Sequence, residues 1–200
     1  SYVASAASVL AMMAWVLKIF FALLSDTRPI HGYRRRPYMM IGWSIAFVFL
    51  IALACTPMPA PYFCQGPDGT YNLKKVCNPA AKSSGYVFAL MMMMVSVGVV
   101  LADVSADALT VAYARREPES LRGQTQTTAY LVREVGMITS KLLVGLGMNG
   151  KEYNGSFPVG LSFSAVCAIL AVPAALMVPI SWLLVPEHRI KGSARSECSP

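Results

Sequence analysis

The chain has 200 residues, of which 56% are hydrophobic and 14% charged, with a formal net charge of +7. A soluble domain usually carries about 25% charged residues, so this balance, with a mean hydropathy of +0.52, points away from an ordinary soluble fold. The positive charge does not indicate nucleic acid, because the basic residues gather at the ends of apolar runs.

Five runs are long enough for helices crossing a hydrocarbon core, which needs about 20 residues. They cover 3–24, 38–56, 86–112, 124–148 and 160–185, too long for barrel strands. The first residue is Ser1, and no signal peptide with a cleavage site precedes the first run. The expectation is therefore a fragment or an incomplete gene model.

Between the first two runs, 25–37 holds Arg28, Arg34, Arg35 and Arg36. The third connection, 113–123, holds Arg115, Arg116 and Arg122, and the tail 186–200 holds Arg189, Lys191 and Arg195. The second and fourth connections, 57–85 and 149–159, hold only Lys74, Lys75, Lys82 and Lys151. The excess of Lys and Arg assigns the first, third and tail segments to the cytoplasm and 57–85 and 149–159 to the outside. Two features lie on the assigned outer side. Asn154-Gly155-Ser156 is a glycosylation sequon. Cys64 and Cys77 share the second connection, where Pro57, Pro59, Pro61 and Pro79 imply irregular backbone that a disulfide would restrain.

Charges inside spans are costly unless paired or facing water. They are Lys18, Asp103, Asp107, Arg133, Glu134 and Lys141. With a rise of about 1.5 Å per residue, Lys18 and Asp107 lie about 10 Å deep from the cytoplasmic boundary, and Asp103 and Arg133 about 16 Å. Two depth-matched pairs result, Lys18 with Asp107 and Asp103 with Arg133. Asp103 and Asp107 share a helix face. On the fourth span, Gln126, Tyr130, Arg133, Met137 and Ser140 form one stripe, with Thr127, Glu134 and Lys141 beside it. This polar face is expected to line a cavity or meet the third span rather than lipid. Gly136, Gly145 and Gly147 are weak candidates for close helix approach. The bland alternative for the charges is a set of buried ion pairs that fix helix register. The functional one is a substrate or proton pathway through Asp103, Asp107, Arg133, Glu134 and Lys18.

The first connection reads Ser25-Asp26-Thr27-Arg28-Pro29-Ile30-His31-Gly32-Tyr33-Arg34-Arg35-Arg36-Pro37-Tyr38. It resembles the loop between the second and third helices of the major facilitator superfamily, where an Asp and basic residues form a cytoplasmic latch. Within that superfamily the chain resembles the folate–biopterin transporters. The resemblance is carried by Trp15, Lys18, Ser25-Asp26, Pro29-Ile30 and Gly32 to Tyr38, and further on by Ala102-Asp103-Val104, Asp107-Ala108, Gly123, Gln126, Arg133 and Gly136. It covers roughly residues 10–145; Ile19 and Ala22 depart from the pattern. It implies an all-α membrane protein, a partial six-helix bundle of a major facilitator-type transporter with five transmembrane helices, equivalent to helices two to six. It further implies a second helical bundle absent from this sequence, a cytoplasmic gate at Asp26, Arg34, Arg35 and Arg36, and a folate- or pteridine-like solute, with or without proton coupling. A sugar–cation symporter of the same superfamily and a non-transporting membrane scaffold are the alternatives. An enzyme fits poorly, since His31 and His188 lie at cytoplasmic ends and no metal cluster or nucleophile elbow is visible. No cofactor, metal or nucleic acid is expected; the partners are the solute and the lipid bilayer. The sequon and Cys pair favour the plasma membrane or secretory pathway over a plastid.

Overall fold

The computed structural model describes residues 9, 12–66, 71–153 and 155–189. Asn154, the tail from residue 190 (with Lys191, Arg195 and Cys198) and most of residues 1–11 lie outside the described residues.

Among the described residues, five α-helices follow one another: α1 (Lys18–Thr27), α2 (Arg36–Cys55), α3 (Ala81–Ala114), α4 (Gln124–Gly147) and α5 (Phe163–Leu183). Residues 12–16 are also helical and lead through a turn at Leu17 into α1. Of the five spans expected, three qualify by length and apolar composition: Arg36–Cys55, Ser83–Ala114 and Phe163–Leu183. The described α1 has only ten residues, and α4 carries Arg133, Glu134 and Lys141.

The helix ends follow from local chemistry. Pro37 sits in the first turn of α2, where its missing N–H costs nothing. That helix stops at Thr56, which is extended because Pro57 follows it. The Ser162 hydroxyl caps α5 by accepting a hydrogen bond from the Ala165 amide at 3.2 Å. The α5 helix runs continuously through Pro173 and Pro179. Helix α3 has 34 residues, about 50 Å, so it is longer than a hydrocarbon core of about 30 Å.

Helix α2 is the hub, packed mainly on α3 and α5. Its contact with α5 is a core of Leu50, Leu53, Cys167, Ala171 and Ala174, flanked by Phe47, Phe88 and Phe163. Its contact with α3 is set by two glycines. A Cβ on Gly42 would lie 2.5 Å from the Gly98 carbonyl oxygen, and one on Gly98 would lie 2.6 Å from that of Gly42. Small residues let helix backbones approach this closely. The glycines singled out from the sequence behave differently: an added Cβ would meet nothing within 4 Å at Gly136 or Gly145, and at Gly147 it would first meet the Leu161 side chain. They lie on α4, which has no buried residue and so no close crossing for them to serve.

The 57–85 connection is more regular than its prolines suggest. Strands β1 (Phe63–Gln65) and β2 (Tyr71–Val76) pair antiparallel, with an irregularity between Phe63 and Cys64. Both strands avoid the prolines, which cannot donate to a ladder. Cys64 and Cys77 are joined by a disulfide, their Cα atoms 5.0 Å apart.

Candidate functional site: a four-charge cluster and a clasped loop

Three helices bring four charged side chains together. Lys18, at the start of α1, donates to Asp103 at 2.9 Å and to Asp107 at 3.0 Å. From α4, Arg133 pairs with Asp103 at 2.9 Å and also with Asp107. The two aspartates sit one turn apart on α3, so one face presents both carboxylates to cations from opposite sides. Depth in the sequence suggested two separate pairs; the structure shows one closed cluster, each cation touching both acids. Two positive and two negative groups cancel, which limits the cost of holding them among apolar helices. Asp103 is the most covered, with 16% of its side chain exposed, against 32% for Asp107, 35% for Lys18 and 36% for Arg133.

Aromatic rings flank both cations. The Lys18 Nζ lies 5.4 Å from the Trp15 ring centroid, and the Arg133 guanidinium 5.5 Å from that of Tyr130. Such contacts favour a cation. Gln126, on the same stripe of α4, donates to the Tyr130 hydroxyl at 3.4 Å. Glu134 and Lys141 are exposed and make no ion pair among the described residues. Arg133 therefore joins the cluster while its neighbour Glu134 does not.

A groove of about 540 Å³ opens between α1 and α3. The Lys18 and Asp107 side chains line it toward one end, and Asp26 and Arg35 line it toward the C-terminal turn of α1. The cluster and the first connection thus share one surface.

That connection is tightly built. His31 and Gly32 both have positive φ, 52° and 83°, as the two central residues of a type I′ turn require. Ile30 and Tyr33 exchange backbone hydrogen bonds of 2.9 and 3.0 Å across it. Of the Arg cluster, only Arg35 pairs with Asp26 among the described residues, and it also donates to the buried Ser25 hydroxyl at 2.7 Å. The Tyr38 hydroxyl donates to the Arg28 carbonyl at 2.7 Å, tying the end of α1 to the start of α2.

One residue of this region escaped the sequence reading. The Glu187 carboxylate accepts from the backbone amides of Arg34 at 2.8 Å, Arg35 at 3.0 Å and Arg36 at 2.9 Å. These are orphan donors at the N-terminus of α2, where a negative charge is favoured. Nearby, the Arg36 guanidinium lies 5.3 Å from the Tyr33 ring and 5.7 Å from the Trp182 ring. Tyr113 at the end of α3 donates to the Pro186 carbonyl. The segment after α5 therefore clasps the first connection. Its only sequence signal is an acid directly after Pro186 at the end of an apolar run.

On the third connection, Glu117 accepts from the amides of Gly123 at 2.7 Å and Thr125 at 2.6 Å, capping α4. The Thr125 hydroxyl and amide, with the Gly123 and Gln124 amides, hold the Glu117 carboxyl below its ordinary value. Among the described residues, no group of three His, Cys, Asp or Glu is placed to hold a metal ion.

A helical membrane protein with a neutralised charge cluster between helices fits the general pattern of a solute or ion pathway. A family model, described as the BT1 family, matches residues 2–61, which include the first connection. The probable folate-biopterin transporter 4 of Arabidopsis thaliana is 25% identical over 167 residues, which are 84% of this chain and 29% of that protein. The folate-biopterin transporter of Synechocystis sp. is 26% identical over 164 residues, 82% of this chain and 27% of that protein. No solved structure matches. These findings support the folate–biopterin transporter family read from the motifs. The chain spans less than a third of the length of these relatives.

Proposed function

We propose that this chain forms part of a secondary transporter that moves a pteridine-like solute of the folate or biopterin type. The observation that carries the reading is the cluster of Lys18, Asp103, Asp107 and Arg133, in a chain similar to proteins named as folate-biopterin transporters. In this reading all five helices cross the bilayer. The apolar surfaces that α1 and α4 leave exposed, among them Phe20, Leu23, Leu131 and Val135, meet lipid and further helices of a longer protein, including a second bundle. The segments 25–37, 113–123 and 186–200 face the cytoplasm, while 57–85 and the sequon at Asn154 face outward, at the plasma membrane or in the secretory pathway.

The amide and amine edges of a pterin suit bidentate pairing with Asp103 or Asp107, and a glutamate tail suits Arg133. A solute carboxylate that takes Arg133 would release an aspartate, which could then accept a proton, so a proton gradient can be coupled through Asp103 or Asp107. Glu134, outside the cluster on the adjacent stripe of α4, would join this route only if α4 turned. Asp26, Arg34, Arg35 and Arg36 act as the cytoplasmic gate, closing when their bonds to neighbouring helix ends form and opening when they break.

The test is a panel uptake assay on the complete protein with folates, biopterin, S-adenosylmethionine and sugars, with and without a pH gradient. Saturable pteridine uptake supports the proposal. Sugar uptake driven by a cation gradient would replace it with a symporter of another family, and no uptake of any solute would favour a scaffold.

A further inference from the structure

Trp15 touches the charge cluster through Lys18, yet it is more than half exposed. Resting on the transport reading above, we propose that Trp15 is the stacking wall of the solute site and selects solutes that carry a flat heteroaromatic ring.

Three observations converge on it. The first is position on the helix. Trp15, Lys18, Ala22 and Asp26 recur every three or four residues and line the groove between α1 and α3, opposite Val104 and Asp107. The groove volume of about 540 Å³ falls within the range of about 300–1,000 Å³ that small-molecule sites occupy. The second is depth. Trp15 lies ten residues before Ser25, about 15 Å from the cytoplasmic boundary, near the bilayer midplane. Tryptophans that anchor a helix to the headgroups sit at the interface instead. The third is surroundings. Trp15 is 53% exposed yet stands beside polar groups: the Lys18 Nζ is 5.4 Å from its ring, and Lys18 bonds both aspartates.

A flat ring laid on the exposed part of this indole lies in the groove that Lys18 and Asp107 also line. Its N–H donors turn toward Asp107 and its ring nitrogens or carbonyl toward Lys18. Offset stacking supplies affinity that an aliphatic or sugar solute cannot collect. The charges alone would accept many polar solutes; the indole narrows them to aromatic ones.

The experiment measures initial uptake rates of a labelled pteridine by the complete protein in membrane vesicles, for Trp15→Leu, Trp15→Phe and Asp103→Asn. Trp15→Leu is expected to raise KM about tenfold, the upper range for a lost aromatic pair, with the maximal rate within about twofold of the parent. Trp15→Phe is expected to restore most of the affinity. Competition by a pterin without a glutamate tail should weaken in Trp15→Leu, while competition by p-aminobenzoylglutamate, which lacks the pterin, should not. An unchanged KM in Trp15→Leu overturns the proposal. If Trp15→Leu fails to reach the membrane, Trp15→Met against Trp15→Phe makes the same comparison, and equal KM values overturn it. Uptake that depends on Asp103 but not on Trp15 sinks this inference alone, whereas absence of pteridine uptake in the parent sinks it together with the function.

Discussion

Lys18 and Asp103 differ in estimated depth by about 6 Å, four residues of helix, so depth alone would not couple them. In the structure they are bonded at 2.9 Å. A double-mutant cycle with Lys18→Met and Asp103→Asn separates the two views. Each single change leaves the cluster with one uncompensated charge, because two cations and two anions balance in the parent. Breaking a fully buried pair costs about 3–5 kcal/mol, and an exposed pair contributes about 0–1 kcal/mol. With Asp103 at 16% and Lys18 at 35% exposure, an intermediate single-variant loss of about 1–3 kcal/mol is expected. The double variant restores neutrality and leaves Arg133 on Asp107, so it should be more stable than the sum of the singles by about 1–2 kcal/mol. Thermal unfolding of the detergent-solubilised complete protein, followed by size-exclusion recovery, gives the four values. Additivity within about 0.3–0.5 kcal/mol would show that the residues are not coupled and refute the closed cluster.

Three further outcomes are expected. Glu187→Ala should strip the acceptor from three amides of the first connection, at a cost of about 1–3 kcal/mol, and speed trypsin cleavage after Arg34 and Arg35 in inside-out vesicles; Glu187→Gln should lie between it and the parent. Because folding depresses the Glu117 carboxyl, its stabilising effect is present above the unfolded value near 4.5 and lost as pH falls through the lower folded value. The protection of the Gly123 and Thr125 amides from hydrogen exchange, taken relative to the intrinsic rate at each pH, should therefore fall on acidification below that point, and Glu117→Gln should remove that fall. Gly42→Leu or Gly98→Leu should push α2 and α3 apart, costing about 1–3 kcal/mol or more by overpacking; a melting temperature equal to the parent's would contradict the close crossing.

The sequence was most legible where a physical cost is attached to a single residue. An ion in an apolar run demands an explanation, and that requirement picked out Lys18, Asp103, Asp107 and Arg133, together with Glu134 and Lys141, which the cluster leaves out. Axial depth then paired the first four one to one, because depth carries no information on how helices rotate about their axes. The rotation that turns both aspartates toward both cations appears only with α1 and α4 on either side of α3. Close helix approach was illegible for the same reason. Gly42 and Gly98 look no different in sequence from Gly136 and Gly145, and which glycines matter depends on which helices cross. Glu187 was hidden in a tail whose charge was read only for its Lys and Arg. A carboxylate that caps backbone amides 151 to 153 residues away leaves no periodic trace. The β1–β2 hairpin was missed because strands of three and six residues are too short for a period-two pattern to stand out among prolines.

Uptake of a labelled pteridine by the complete protein carrying Asp103→Asn or Arg133→Ala, with surface expression measured in parallel, tests the role of the cluster most directly. Loss of uptake with normal surface expression is the expected result. Parental uptake in both variants would contradict the account, leaving the four charges as a structural ion-pair network.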